Sequence, residues 1–343
     1  MTIVQTESTI PNLQFKITSL SKFQVEGTDH KNAMKARMNT GGKWMSVSKR
    51  FWTSFFARFG ISDSIFRYYT HQEVFDRIRS VKGDVQLRLC TDGSNALAIS
   101  NPEKSVLMTD DFRQLAQKFQ GEDLQYQCGI VTSIYTPNSG EHKSKIGPDN
   151  FRNRYMLEAP LDGYGKPSIY LSMLREVCTN GIIAYTTAFR TDIAVGNDPK
   201  HNLNRALESF DSDEGYSALR QRFETSQLSP ASLYECLKLY KLLKKMERTD
   251  AISTFDKVAG NIYDQYGVAN LDAISEKKLH LLPAKCRVYD LINLVSELST
   301  HHTNDSTESM KLNAWIGTTL SREYDLEGTN TKRIDFAGKH FSN

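Results

Sequence analysis

The spacing of apolar residues changes twice along this 343-residue chain, and no other feature limits the fold as much. From Ser46, the residues Val47, Phe51, Phe55 and Phe59 recur every four positions, which places them on one face of a helix. Between about residues 85 and 195 the spacing shortens to two, as in VQLRLC and NALAIS, which is strand spacing. Beyond Pro199 the helical spacing returns. This pattern predicts an α+β protein: a strand-rich antiparallel core, a basic N-terminal helical segment and a C-terminal helical region. The expected divisions are a polar arm over 1–45, an α+β core domain over 46–198, and a helical region over 199–343 packed on the core.

Local signals refine that outline. The arm is expected to hold one short strand around Leu13–Leu20. Gly60 closes the first helix, and HQEVFDRIRSV reads as a second with Val74, Ile78 and Val81 on its inner face. Thr91-Asp92-Gly93-Ser94 marks a hairpin turn. Thr109 or Asp110 is the expected cap of a helix whose stripe is Phe112, Leu115, Ala116 and Phe119. Ser229-Pro230 reads as an N-cap with proline in the first helical position. Phe255–Tyr266, Ala284–Leu298 and Ser309–Tyr324 are expected helices, and HHTNDSTES an interrupting loop.

Composition narrows the function classes. No run of about 18 apolar residues exists, so no membrane partner is expected. MTIVQTESTIPNLQF lacks the basic start and apolar stretch of a secretory signal. The five cysteines are widely spaced with no C-x-x-C pair, which favours a reducing cytoplasm. Residues 1–82 carry thirteen Lys/Arg against six Asp/Glu, a balance of +7 in a chain whose total is +3. A segment of that sign can bind phosphate backbones by releasing counterions, although a solvated basic face has the same composition.

The densest part of that segment is NTGGKWMSVSKRFWTSFFARFG, residues 39–60. Gly41-Gly42-Lys43 is not a phosphate loop, because Arg37 stands where the first glycine belongs and Trp44 where the Ser/Thr belongs. What remains is Lys43, Lys49, Arg50 and Arg58 set among Trp44, Trp52 and phenylalanines. Trp44, Trp52 and Tyr68 are candidate stacking faces for bases, and the four cations with Arg67 candidate phosphate contacts. The same mixture also describes an amphipathic helix, with Phe51, Phe55 and Phe59 as core. Arg152, Arg154 and Lys166 form a second basic set that extends the same groove if the first is a binding face.

Enzyme signatures are weaker. His301 and His302 stand near Asp305 and Glu308, but no H-x-x-x-H or H-E-x-x-H spacing supports a metal. Cys178 in REVCTNG precedes a tight turn at Asn180-Gly181, yet no feature identifies the base that a catalytic thiol needs. It is expected to be a structural residue. Asp110-Asp111 and Asp211-x-Asp213 sit where caps and turns want carboxylates. No cofactor and no metal are expected.

Four segments together resemble a phage/plasmid-like protein family of unknown function (the DUF 932 type). LRLCTDGSNALAISNPEKSVLMTDDF is similar to its hairpin and following helix. PSIYLSMLREVCTNGIIAY is similar to its R-x-V-C-x-N-G motif, here Arg175, Val177, Cys178, Asn180 and Gly181. RTDIAVGNDPKHNLNRALESF resembles its link into a long helix, and LNAWIGTTLSREYDLEG its C-terminal block with Trp315 and Tyr324. The likeness spans roughly residues 45–340 and implies a mobile-element DNA context with no assigned catalytic residues. The resulting expectation is a non-enzymatic, homo-oligomeric binder or annealer of single-stranded DNA. The alternatives are a self-assembling phage structural protein and, last, an enzyme centred on Cys178.

Overall fold

The computed structural model describes residues 10–27, 36–137, 143–146, 149–175, 181–183, 190–209, 216–262, 267–303 and 306–321. The fold is α+β. The chain divides into two compact units. One comprises residues up to Tyr135 with Leu157–Ile169 and Asp192–Ser209; the other comprises Thr136–Met156, Tyr170–Thr191 and the chain from Phe210 on.

The first unit is built on a six-stranded sheet of order β1-β5-β6-β4-β3-β2. Its strands are β1 (Gln14–Ser19), β2 (Gln24–Glu26), β3 (Arg37–Asn39), β4 (Met45–Val47), β5 (Gln86–Asp92) and β6 (Asn95–Ser100). All neighbours are antiparallel except β4 and β6, which pair in parallel at Ser46–Asn95 and Val47–Ala96. Among its described residues, the region read as a polar arm contributes β1, β2 and β3 to this sheet, where one strand was expected. Strands of three residues, such as β2 and β3 with one inward apolar residue each (Val25, Met38), give too little alternation to be seen in a sequence window.

Helix α1 (Lys49–Phe59) follows the expected stripe. The Ser48 hydroxyl accepts the Phe51 N–H at 3.0 Å, and Gly60 closes the helix at φ +67°, a conformation that glycine adopts without steric cost. Phe51, Trp52, Phe55 and Phe59 enter a core shared with Phe23, Met38, Phe75, Leu87 and Ile99. Helix α2 (His71–Lys82) opens with a Thr70–Glu73 capping box and buries Val74, Phe75 and Ile78. Val81, expected inside, is 80% exposed, because the helix leaves the core in its last turn. Helix α3 (Thr109–Lys118) starts at Thr109 after Met108, so neither expected side-chain cap is used. The hairpin β7 (Glu122–Gln127) and β8 (Ile130–Tyr135) and helix α4 (Pro199–Ser209) complete the unit. Lys118 pairs with Glu208 at 2.9 Å and Lys200 with Asp111 at 3.2 Å, so α4 packs on α3.

The second unit combines β9 (Lys143–Ile146), β12 (Gly181–Ile183) and most of β10 (Asp149–Pro160) and β11 (Ser168–Arg175) with the C-terminal helices. The short strand β13 (Arg190–Asp192) precedes α4. The helices are α5 (Ser217–Leu228), α6 (Leu233–Lys245), α7 (Thr249–Ala259), α8 (Val268–Ala273), α9 (Glu276–Leu279), α10 (Val288–His301) and α11 (Ser306–Leu320). Phe151 and Met173 from the strands share one core with Phe223, Leu239, Phe255, Ile292 and Ile316. Pro230 does not start a helix. It lies in β14 (Pro230–Ser232), opposite Arg287 of β15 (Pro283–Arg287), and α6 begins three residues later behind a Ser232–Glu235 capping box. A proline at the first position of a short strand has no ladder bond to lose.

Candidate nucleic-acid interface

The eleven candidate contact residues separate once side chains are in place. Lys43 is exposed at the tip between β3 and β4, where the Asn39 side chain accepts the Gly42 N–H at 2.7 Å and Gly41 takes φ +83°. Trp44, next to it, is half-exposed. Lys49 is exposed at the first position of α1.

Arg50 is turned inward. Its Nε and Nη2 both donate to the Asp162 carboxylate, the second at 3.1 Å, and Nη2 also donates to the Tyr164 carbonyl. The guanidinium lies 5.1 Å from the centre of the Tyr164 ring. Asp162 has no exposed side-chain surface and further accepts the Tyr164 N–H at 2.9 Å. Burial pushes its carboxyl upward more strongly than Arg50 and that N–H pull it down. Two glycines make room for this contact. A Cβ on Gly129 would stand 2.8 Å from the Asp162 Cβ, and one on Gly163 would stand 2.9 Å from the Ser100 hydroxyl. A Cβ on Gly165 would lie 3.6 Å from Arg50 Nη2, so exposed Lys166 follows a residue that touches Arg50.

Trp52 is not a stacking face. It is 3% exposed, with ring centres of Phe51, Phe66 and His71 at 5.2, 5.3 and 5.0 Å. Every face of the indole is spent on core contacts, as its place beside Phe51 and Phe55 on the inner side of α1 requires. Arg58 is exposed, but nine residues make about two and a half helical turns, so it projects from the side of α1 opposite to Lys49. The two cannot follow one strand along that helix. Arg67 is exposed in the 3-10 turn Asp63–Arg67, and Tyr68 beside it is 79% exposed.

The second basic set divides as well. Lys166 belongs to the first unit; Arg152 and Arg154 stand on the part of β10 in the second. Arg152 is exposed, whereas Arg154 is 6% exposed, one of several consecutive buried residues in β10. Its carbonyl accepts the Tyr216 hydroxyl at 2.8 Å, so Arg154 sits in the interior and not along a phosphate track.

Groups suited to chemistry also take structural places. In the second unit the buried Asp149 accepts Arg175 at 2.8 Å and the Tyr289 hydroxyl at 2.6 Å. Burial and the Asp149 charge push the Tyr289 phenol up to about 12. A cleft of about 540 Å³ opens beside this network between α7 and α10, lined by Arg175, Val258, Asn293, Leu294 and Glu297 among others. Ser232, Glu235 and His280 contain the residue types of acyl transfer in the wrong order. Glu235 accepts the Ser232 hydroxyl and stands 3.7 Å from His280 Nδ1, so the carboxylate separates the hydroxyl from the imidazole that would take its proton. Among the described residues no cluster of three or more His, Cys, Asp or Glu is placed to hold a metal ion. Cys178 and Asn180 lie outside the described residues, as does Asp305; Gly181 opens β12 opposite Leu174.

Glu235 gives a measurable acid response. Burial raises its carboxyl, but His280 and the Ser232 hydroxyl and N–H together outweigh that and hold it below the usual value. A depressed acid contributes stability above its unfolded value, about 4.5, and loses it as pH falls through the folded value. The stability advantage of the parent over Glu235→Gln is therefore expected to shrink below about pH 4.5 in urea titrations. An advantage that stays constant down to about pH 3 would refute this.

No family model, curated protein or solved structure matches the chain. Among the described residues no helix is long and apolar enough to cross a membrane.

Proposed function

We propose that the protein is a non-enzymatic binder of single-stranded nucleic acid, DNA before RNA, that works through its first unit. The observation that carries this reading is at the start of α1. Its first turn contains Lys49 and Arg50 and no acid, and Arg50 is spent on Asp162 and the loop that carries Lys166. Exposed Lys49 and Lys166 thus flank one internal contact, with Lys43 and half-exposed Trp44 a few residues before it. Cations of this kind track phosphates, and an indole outside the core offers a face to a base. Arg67 with Tyr68 is a second cation–aromatic pair on the same unit. The segmental likeness to the phage/plasmid-like family supports a mobile-element setting in a bacterial cytoplasm, with annealing by a homo-oligomer as the activity to test.

Titration of a labelled oligothymidine against salt tests the reading. Lys49→Glu/Lys166→Glu is expected to weaken binding to all sequences alike and to lower the salt slope by about 1.4, at roughly 0.7 per phosphate contact. Trp44→Ala is expected to cost about 1–3 kcal/mol with the slope unchanged, because stacking releases few ions. A folded parent without salt-sensitive binding removes the reading. The self-assembling structural protein then takes its place.

A further inference from the structure

The geometry points to Arg50 and Asp162 as positioning residues, which fix the 161–167 loop against the first turn of α1 so that Lys49 and Lys166 present their charges to the same strand. This rests on the nucleic-acid reading above and assigns the origin of its two-cation contact.

Three features support it. The contact joins segments more than a hundred positions apart and is formed from two guanidinium nitrogens, one carboxylate and one backbone carbonyl. A fork of that kind fixes orientation as well as distance, which a single ammonium does not. The loop is held on its other side too: Gly129 lies against Asp162, Gly163 against Ser100 and Val106, and the Leu161 N–H donates to the Gly129 carbonyl at 2.8 Å. Finally, Lys49 beside Arg50 and Lys166 four residues beyond Asp162 are exposed while the contact itself is largely buried. Arg50 thus contributes its charge to the loop and leaves phosphate contacts to the lysines.

Arg50→Lys tests this because it keeps the charge and removes the fork. In the parent, Lys166→Ala is expected to lower the salt slope of oligothymidine binding by about 0.7. Arg50→Lys, folded by circular dichroism, is expected to lower the slope by a similar amount, and Lys166→Ala added to it to change neither slope nor affinity. A loss of stability alone would not produce that pattern. If Arg50→Lys does not fold, Asp162→Asn, which removes the carboxylate that the guanidinium fork engages, is read by the same two numbers. The positioning role is overturned if the folded variant keeps the parental slope, or if Lys166→Ala still lowers the slope in its background. In that case DNA binding by the parent stands. A parent that does not bind removes both.

Discussion

Asp162→Ala is expected to lower the stability of the protein by about 3 kcal/mol, the lower end of the range of about 3–5 kcal/mol for breaking a buried ion pair. The carboxylate is fully enclosed, and its loss leaves Arg50 with only the Tyr164 carbonyl and ring as partners. The Arg50 side chain keeps 19% of its surface in water, which relieves part of the penalty and sets the estimate at that lower end. The net upward push on the Asp162 carboxyl shows that the pair does not fully offset the cost of burying it. Replacing both partners by apolar residues, Asp162→Ala with Arg50→Met, should therefore recover much of the loss. Urea midpoints of the parent, both single variants and the double variant form the required cycle. A single-variant loss below about 1 kcal/mol would show that the contact is loose in solution.

Trp52→Ala is expected to cost about 3–5 kcal/mol, the range for emptying a large aromatic site in a packed core. Phe51, Phe66 and His71 surround the indole and cannot all collapse into the space. The folded fraction should bind oligothymidine with the parental affinity and salt slope. Trp44→Ala should do the reverse, with little change in stability. Equal effects on stability from the two tryptophans would contradict the separation of core and surface drawn here.

That separation explains what the sequence could and could not convey. The stripe Phe51, Phe55 and Phe59 and the closing Gly60 are local signals, and α1 forms over them, while Val47, first in the same spacing, belongs to β4. Alternation in residues 86–100 likewise predicts the β5–β6 hairpin, because both strands and their turn are contiguous. Trp52 was ambiguous because it is next to the phenylalanine stripe, and only the tertiary packing of Phe66 and His71 decides on which side of the boundary it falls. The partner of Arg50 was invisible for a different reason. Asp162 is 112 positions away, in a Gly-rich loop whose spacing resembles any turn. The same applies to β14, where a Ser-Pro pair suits a helix start and a short strand equally well until Arg287 pairs opposite it. Lys49 and Arg58 looked like one basic row because sequence proximity hides rotation about a helix axis.

The sheet of the first unit also imposes a timetable on synthesis. β1 pairs with β5, and β4 with β6, so the four earliest strands have only β2–β3 and β3–β4 pairing until β5 (Gln86–Asp92) has left the ribosome. In the finished sheet β1 and β4 flank the β5–β6 hairpin, one on each side, and long-range closures of this kind form slowly. The start of α1 waits longest, since the carboxylate that neutralises Arg50 is 112 residues downstream. During that interval the nascent chain presents a cationic, aromatic-rich segment with its core partners unmade, the state in which domains of this size are most exposed to misassociation.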